Sequence, residues 1–95
     1  MRFVTPIEQK QIERIENELK KIKYERDFDG FTYDDNFFVQ YVSQHKNSRD
    51  VNCVTIEIKK HKKITIENYD ARAYMICHKT SKNFDDIITF IQNLQ

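Results

Sequence analysis

Apolar residues recur at helical spacing near the start of the chain. A stripe of isoleucine and leucine repeats every three or four positions, which predicts an amphipathic helix with one apolar face. Thr5 and Glu8 have the spacing of a capping box that begins such a helix. We expect the stripe to pack on a sheet, and a short coiled coil between two copies of the chain is the alternative. Its members are Ile12, Ile15, Leu19 and Ile22.

The same periodicity returns at the other end of the sequence. Ser81 or Asn83 is placed to cap a second helix. Asp85 and Asp86 fall in its first turn, where the helix dipole favours acidic side chains. The apolar positions of this predicted helix are Phe84, Ile87, Ile88, Ile91 and Leu94.

Between the two helices the period changes to the alternation that is typical of half-buried strands. The segment after the first helix contains the only glycine, Gly30, where we expect the chain to turn, and a second turn is expected at 34–36. In the clearest hairpin, Ile58 should pair with Ile64 around a turn centred on His61. The candidate strands are 37–44, 51–59, 63–68 and 72–79.

One face of the predicted sheet collects the apolar side chains. A turn centred on Asp70 would bring Tyr74 and Ile76 onto the face that already holds the hairpin isoleucines. The residues expected on this face are Val54, Ile56, Ile58, Ile64, Ile66, Tyr74 and Ile76. Residues 1–95 are therefore predicted to form a single small α+β domain. It has an N-terminal helix, an antiparallel sheet of about four strands and a C-terminal helix, with both helices packed on one sheet face.

The composition is that of a folded domain. Of the 95 residues, 39% are apolar and 33% are charged, and the formal net charge is only +1. Disordered chains instead combine low hydrophobicity with high net charge. The two cysteines and the absence of an apolar leader segment predict free thiols and a cytoplasmic location. No apolar run is long enough to cross a membrane.

A cluster of positive charge marks the turn of the central hairpin. Clustered cations bind phosphate groups by releasing counterions, so this hairpin tip is a candidate site for nucleic acid. Lys46 and Arg49 could extend it. Lysines at a hairpin tip also serve solubility, and the near-neutral charge of the whole chain argues against nucleic acid. The tip consists of Lys59, Lys60, His61, Lys62 and Lys63.

A second candidate surface lies in the segment 27–41, which combines six aromatic residues with four aspartates. Because consecutive side chains of a strand point to opposite faces, either Phe37 or Phe38 must point away from the core. A partly exposed aromatic residue beside acidic groups is typical of a protein-docking surface. Closure of a second small core is the alternative. The candidate contact residues are Phe31, Tyr33, Asp34, Asp35, Phe37 and Phe38.

The sequence shows no motif of a catalytic, cofactor or metal site. It has no glycine-rich phosphate loop and no ligand spacing suited to zinc or calcium. A cysteine nucleophile, Cys53 or Cys77, would need a base such as His45 or His61 close by in space, which sequence spacing does not provide. We therefore predict no enzyme activity, no cofactor and no metal.

These observations favour a non-catalytic protein-interaction module, such as a small regulator or inhibitor that acts by occluding a partner. The alternative is a nucleic-acid-binding domain that uses the cationic hairpin tip 59–63. A protein is the expected partner, and no membrane contact is expected. Association of identical copies through the first helix or an edge strand stays open.

Overall fold

The computed structural model describes residues 3–43, 51–59 and 62–94. The strands lie in the sheet in the same order as in the chain, so each strand pairs antiparallel with the next. The α+β prediction is confirmed, with five strands where about four were expected. The elements are α1 (Pro6–Lys21), β1 (Tyr24–Phe31), β2 (Phe37–Ser43), β3 (Cys53–Ile58), β4 (Ile64–Tyr69), β5 (Met75–Ser81) and α2 (Phe84–Gln92).

Helix α1 begins at the predicted capping box. The Thr5 hydroxyl accepts a hydrogen bond from the Glu8 N–H (3.2 Å), and the Glu8 carboxylate accepts one from the Thr5 N–H (3.0 Å). The apolar stripe is buried where α1 packs against α2 and β1, with Ile12, Ile15 and Leu19 at most 1% exposed. Packing within the chain therefore occupies the stripe that was considered for a coiled coil.

Strand β1 accounts for the difference in strand number. Gly30 lies inside β1 opposite Phe38, so the prediction of a turn at this glycine was wrong. The chain instead reverses directly after α1, where Lys23 takes a left-handed conformation with φ 69°. A bulge between Arg26 and Phe28 interrupts the pairing of β1 with β2. An edge strand that is bulged and charged lacks the regular alternation that reveals a strand in the sequence.

Both helices lie on one face of the sheet, as predicted. The hairpin register is confirmed, because Ile58 pairs with Ile64 and Ile56 with Ile66. No helix or strand of the described residues covers the opposite face. The core residues of the three central strands are Phe37, Val39, Tyr41, Val54, Ile56, Ile58, Ile64 and Ile66, each at most 5% exposed.

The position predicted for Tyr74 and Ile76 in the core was wrong, because the turn before β5 is longer than expected. The Asp70 N–H donates to the Tyr74 carbonyl (2.9 Å), and Asp70 Oδ1 accepts from the N–H groups of Arg72 (2.9 Å) and Tyr74 (3.0 Å). A bulge in the pairing of β4 with β5 follows this turn. As a result Tyr74 is 68% exposed and Ile76 is 54% exposed.

The shift also changes which side chains of β5 face the helices. Asn68 pairs with Cys77 and Ile66 with Lys79, so the helix-facing side of β5 is more polar than predicted. Asn83, one of the two predicted caps, is the N-cap of helix α2. Its side chain accepts a hydrogen bond from the Asp85 N–H (3.0 Å). The buried residues of α2 are Ile87, Ile88 and Ile91, and Leu94 is buried just beyond the end of the helix.

Candidate functional site

Two hairpin turns lie side by side at one end of the sheet. Phe37 and Ile58 pair in the adjacent strands β2 and β3, so the turn before Phe37 and the turn after Ile58 leave the sheet at the same end. Adjacent strands are about 5 Å apart. Lys82 joins them, because Ser81 pairs with Ile64 at the end of β5. We call this surface the hairpin end, formed by residues 31–36, Lys59, Lys62, Lys63 and Lys82.

The acidic turn of the hairpin end is fixed by Thr32. Its N–H donates to the Asn36 carbonyl (2.8 Å), and its carbonyl accepts from the Asp35 N–H (2.9 Å). Its hydroxyl accepts from the Asn36 N–H (3.1 Å). Asp35 has φ 67°, a conformation that aspartate tolerates better than most residues. The predicted turn is confirmed, and it presents Asp34, Asp35 and the fully exposed Tyr33 to solvent.

The aromatic residues beside this turn divide between the two faces of the sheet. Phe37 is 4% exposed in the core and cannot contact a partner, which corrects its prediction as a docking residue. Its ring lies 5.6 Å from that of Phe31, which is 37% exposed. Phe38 points to the uncovered face, where its ring stacks edge-on against Phe28 at 5.7 Å. The sequence did not single out Phe28 as a contact, because β1 was not recognised as a strand.

The structure describes only part of the lysine-rich turn between β3 and β4, because residues 60–61 lie outside the described ranges. The Lys59 N–H donates to the Lys63 carbonyl (2.7 Å), and Lys62 has φ 63°. Lys62 and Lys63 are exposed, whereas the Lys59 ammonium lies 3.5 Å from the Glu57 carboxylate, which neutralises part of its charge. The other predicted members, Lys60, His61, Lys46 and Arg49, lie outside the described residues.

The hairpin end therefore carries both signs of charge. Carboxylates lie over the β1–β2 turn, and ammonium groups lie over the β3–β4 turn and after β5. The two turns leave the neighbouring strands β2 and β3, which lie about 5 Å apart. A phosphate backbone that approached the lysines would also meet Asp34 and Asp35.

Cys53 does not have the surroundings of a reactive thiol among the described residues. Cys53 and Cys77 are both free and half-buried, on β3 and β5 respectively. Burial raises the pKa of the Cys53 thiol, and the Asp27 carboxylate raises it further, so the thiolate is scarce at neutral pH. Within 3–43, 51–59 and 62–94, no three histidine, cysteine, aspartate or glutamate side chains are grouped to hold a metal ion.

A shallow depression of about 410 Å³ lies on the uncovered face of the sheet. Its one carboxylate, Asp70, already accepts the two backbone hydrogen bonds of the turn before β5. We assign no ligand to it. It is lined by Gln40, Val42, Val51, Cys53, Thr55, Tyr69, Asp70, Ala71 and Ala73.

No family model matches this chain, and neither a curated protein nor a solved structure matches it. In the part of the chain that the structure describes, no helix has the length and apolar character needed to cross a membrane.

Proposed function

We propose that this protein is a non-catalytic protein-interaction module that docks its hairpin end on a partner protein. The observation that carries the proposal is the fully exposed Tyr33 beside two aspartates on a turn that Thr32 holds in place. A turn that is already ordered loses less conformational entropy on binding than a flexible loop would. By covering part of the partner's surface, such a module acts as a small regulator or inhibitor.

Tyr33 is the expected anchor of the interface. Tyrosine is enriched among the residues that dominate binding energy, because its ring is large and its hydroxyl can find a hydrogen-bond partner. Truncation of such an anchor commonly costs about 2 kcal/mol, or roughly 30-fold in Kd. Phe31, at 37% exposure next to the turn, adds apolar area at the edge of the same surface.

The charges of the hairpin end indicate which charges the partner's surface should carry. Asp34 and Asp35 favour basic side chains, and Lys62 and Lys63 favour acidic side chains a short distance away. This pattern steers the approach and selects one orientation of the partner. The cytoplasmic location expected from the sequence belongs to this proposal, and the two free thiols support it.

Nucleic-acid binding is the second candidate function. The observation in its favour is that the exposed Lys62 and Lys63 lie at the same end of the sheet as Lys82. The aspartates of the neighbouring turn oppose it, as does the pairing of Lys59 with Glu57. It therefore ranks below protein docking.

Site-specific cross-linking tests the proposal. Tyr33 is replaced by photoreactive benzoylphenylalanine in the cells that make the protein, and Tyr74 is replaced in the same way as a control. Tyr74 is exposed as well, but it lies at the opposite end of the sheet. We expect a discrete cross-linked protein from position 33 alone, and its loss in the Asp34→Lys/Asp35→Lys variant. No product at position 33, or the same products from both positions, would overturn the proposal.

Fluorescence anisotropy with labelled single- and double-stranded DNA and RNA separates the two candidates. Nucleic-acid binding should weaken steeply with salt and disappear in Lys62→Glu/Lys63→Glu, while Tyr33→Ala leaves it intact. That result would replace protein docking as the assigned function. Absence of binding at low salt would remove the second candidate.

A further inference from the structure

The two free cysteines differ in the groups that surround their sulfur atoms. Cys53 lies on the uncovered face of the central strand β3, and Cys77 lies on the helix-facing side of the edge strand β5. Both thiols are half-buried. Burial and the Asp27 carboxylate raise the pKa of Cys53, which keeps it protonated at neutral pH. The two positions therefore provide a matched comparison within one chain.

Asn68 is the cross-strand neighbour of Cys77 on β4. Asn68 is 5% exposed, and its Nδ2 donates a hydrogen bond to Cys77 Sγ over 3.9 Å. The Oδ1 of the same amide is buried and has no hydrogen-bond partner among the described residues. A buried acceptor without a donor costs free energy, so a hydroxyl group formed at this place would gain a bond that the thiol does not make. The amide thus offers one donor and one acceptor beside the sulfur.

The charged group that shares this face of β5 with Cys77 is Lys79. The two residues are two positions apart in the strand, so their side chains leave the same face about 7 Å apart. The Asp86 carboxylate accepts a hydrogen bond from the Ser81 hydroxyl (2.8 Å), so Lys79 lies between it and Cys77 along the strand. A cation at this place stabilises negative charge that develops on an oxygen atom at the sulfur.

We propose that Cys77 is an oxidation site at which hydrogen peroxide converts the thiol into a sulfenic acid that the Asn68 amide stabilises. The sulfur loses its proton to water and attacks one oxygen of the peroxide. The S–O bond forms as the O–O bond breaks, and the leaving hydroxide takes up a proton to become water. The sulfur is oxidised by two electrons and the peroxide is reduced by two. Asn68 Nδ2 then donates to the new S–OH oxygen, and Asn68 Oδ1 accepts from its O–H.

The sulfenic acid has no second thiol within the chain with which to condense. Cys53 lies two strands away, at about 10 Å, and on the opposite face of the sheet. A disulfide requires Cα atoms within about 7 Å of each other. The S–OH group of Cys77 therefore persists until an external thiol reduces it, which is typical of a reversible modification.

Single-thiol variants test the site. Cys53→Ser leaves only Cys77, and Cys77→Ser leaves only Cys53. Each folded variant is treated with hydrogen peroxide at neutral pH in the presence of dimedone, which captures sulfenic acids, and its mass is measured. We expect the adduct in the Cys53→Ser chain and none in the Cys77→Ser chain, whereas both chains should react when unfolded in urea. Adducts in both folded variants, or no adduct at Cys77, would overturn the proposal.

The lifetime of the sulfenic acid tests the part played by Asn68. In the Cys53→Ser chain, catalase removes the peroxide and dimedone is added after increasing delays. Asn68→Leu, which is similar in size, should lose the sulfenic acid about ten-fold sooner, because two hydrogen bonds to it are gone. Thr65→Val is the matched control, since it removes a polar group of β4 on the uncovered face. Equal lifetimes in the Asn68 variant and its parent would refute this role.

The labelling of the two single-thiol variants changes no residue of the core. It therefore decides the site even where Asn68→Leu does not fold. Neither test depends on the function proposed for the hairpin end.

Discussion

Phe37 and Phe38 are consecutive in the chain and lie on opposite faces of the sheet. Phe37 is 4% exposed beneath the helices, whereas Phe38 is half-buried on the uncovered face and stacks against Phe28. Replacing each phenylalanine by alanine therefore compares the loss of stability at a core position with the loss at a surface position.

Phe37→Ala is expected to lower the free energy of unfolding by about 3–5 kcal/mol, since it leaves a cavity in the core. Phe38→Ala should cost clearly less, about 1–2 kcal/mol, since it removes partly exposed area and one edge-on aromatic pair. Urea denaturation followed by circular dichroism measures both values. Equal losses at the two positions would contradict the assignment of the faces.

Alkaline pH should destabilise the protein partly through Tyr41. Its hydroxyl is buried and has no hydrogen-bond partner among the described residues. Burial raises the pKa of Tyr41 well above its usual value near 10, and the carboxylate of Glu16 adds to this rise. The unfolded chain releases this proton near pH 10 and the folded chain retains it, so stability falls as the pH rises above about 10.

Tyr41→Phe should therefore reduce this alkaline loss by up to about 1.4 kcal/mol per pH unit. At pH 7 it should be neutral or stabilising by about 1 kcal/mol, because the unpaired hydroxyl is gone. Urea denaturation at pH 7, 9 and 11 measures the effect. Tyr33→Phe, at an exposed position, is the control, and an unchanged slope in Tyr41→Phe would refute this role.

Acidic pH should destabilise the protein partly by protonating Glu18 on α1. The Glu18 carboxylate is 5% exposed and accepts hydrogen bonds from Arg14 and from Lys21 (3.1 Å). These bonds, chiefly that from Arg14, lower the pKa of Glu18 below its usual 4.5. Its contribution to stability is complete above that value and is lost as the pH falls through the lower folded pKa.

In Glu18→Gln, the melting temperature should accordingly fall less steeply below about pH 4.5 than in the native chain. Thermal unfolding between pH 2 and pH 7 gives the comparison. Glu13→Gln, an exposed change on the same helix, should preserve the native acid profile. If both variants retain that profile, Glu18 has no part in acid unfolding.

Asp70→Ala should lower the free energy of unfolding by about 1–2 kcal/mol, because two backbone N–H groups lose their acceptor. Asp70→Asn keeps a side-chain oxygen in the same place and should cost less. Hydrogen exchange of the β5 amides should accelerate in Asp70→Ala, since this turn sets the register of β5. Unchanged exchange in β5 would show that the bulge alone fixes the register.

The sequence predicted those elements whose pattern is local. Isoleucines alternate on both sides of the β3–β4 turn, and a slip of one residue would expose all of them, so the pairing of Ile58 with Ile64 was predictable. The caps at Thr5 and Asn83 lie within a few residues of the groups that they bind, and the sequence revealed them too.

Features set by hydrogen-bond geometry or by distant pairing were not predictable. Tyr74 and Ile76 are apolar enough for the core, but the side chain of Asp70 lengthens the turn and a bulge shifts the strand. The adjacency of the acidic and basic turns depends on the pairing of β2 with β3. That pairing joins Phe37 to Ile58, 21 positions apart in the sequence, and no local pattern reveals it.

The order of the strands also bears on how the protein folds. Every strand pairs with its neighbour in the chain, so each pairing closes a short segment and costs little loop entropy. The contact between α1 and α2 joins the most distant elements. Folding is therefore expected to be fast for a sheet protein, with the sheet forming by successive hairpins and the docking of the two helices on each other as the most costly closure.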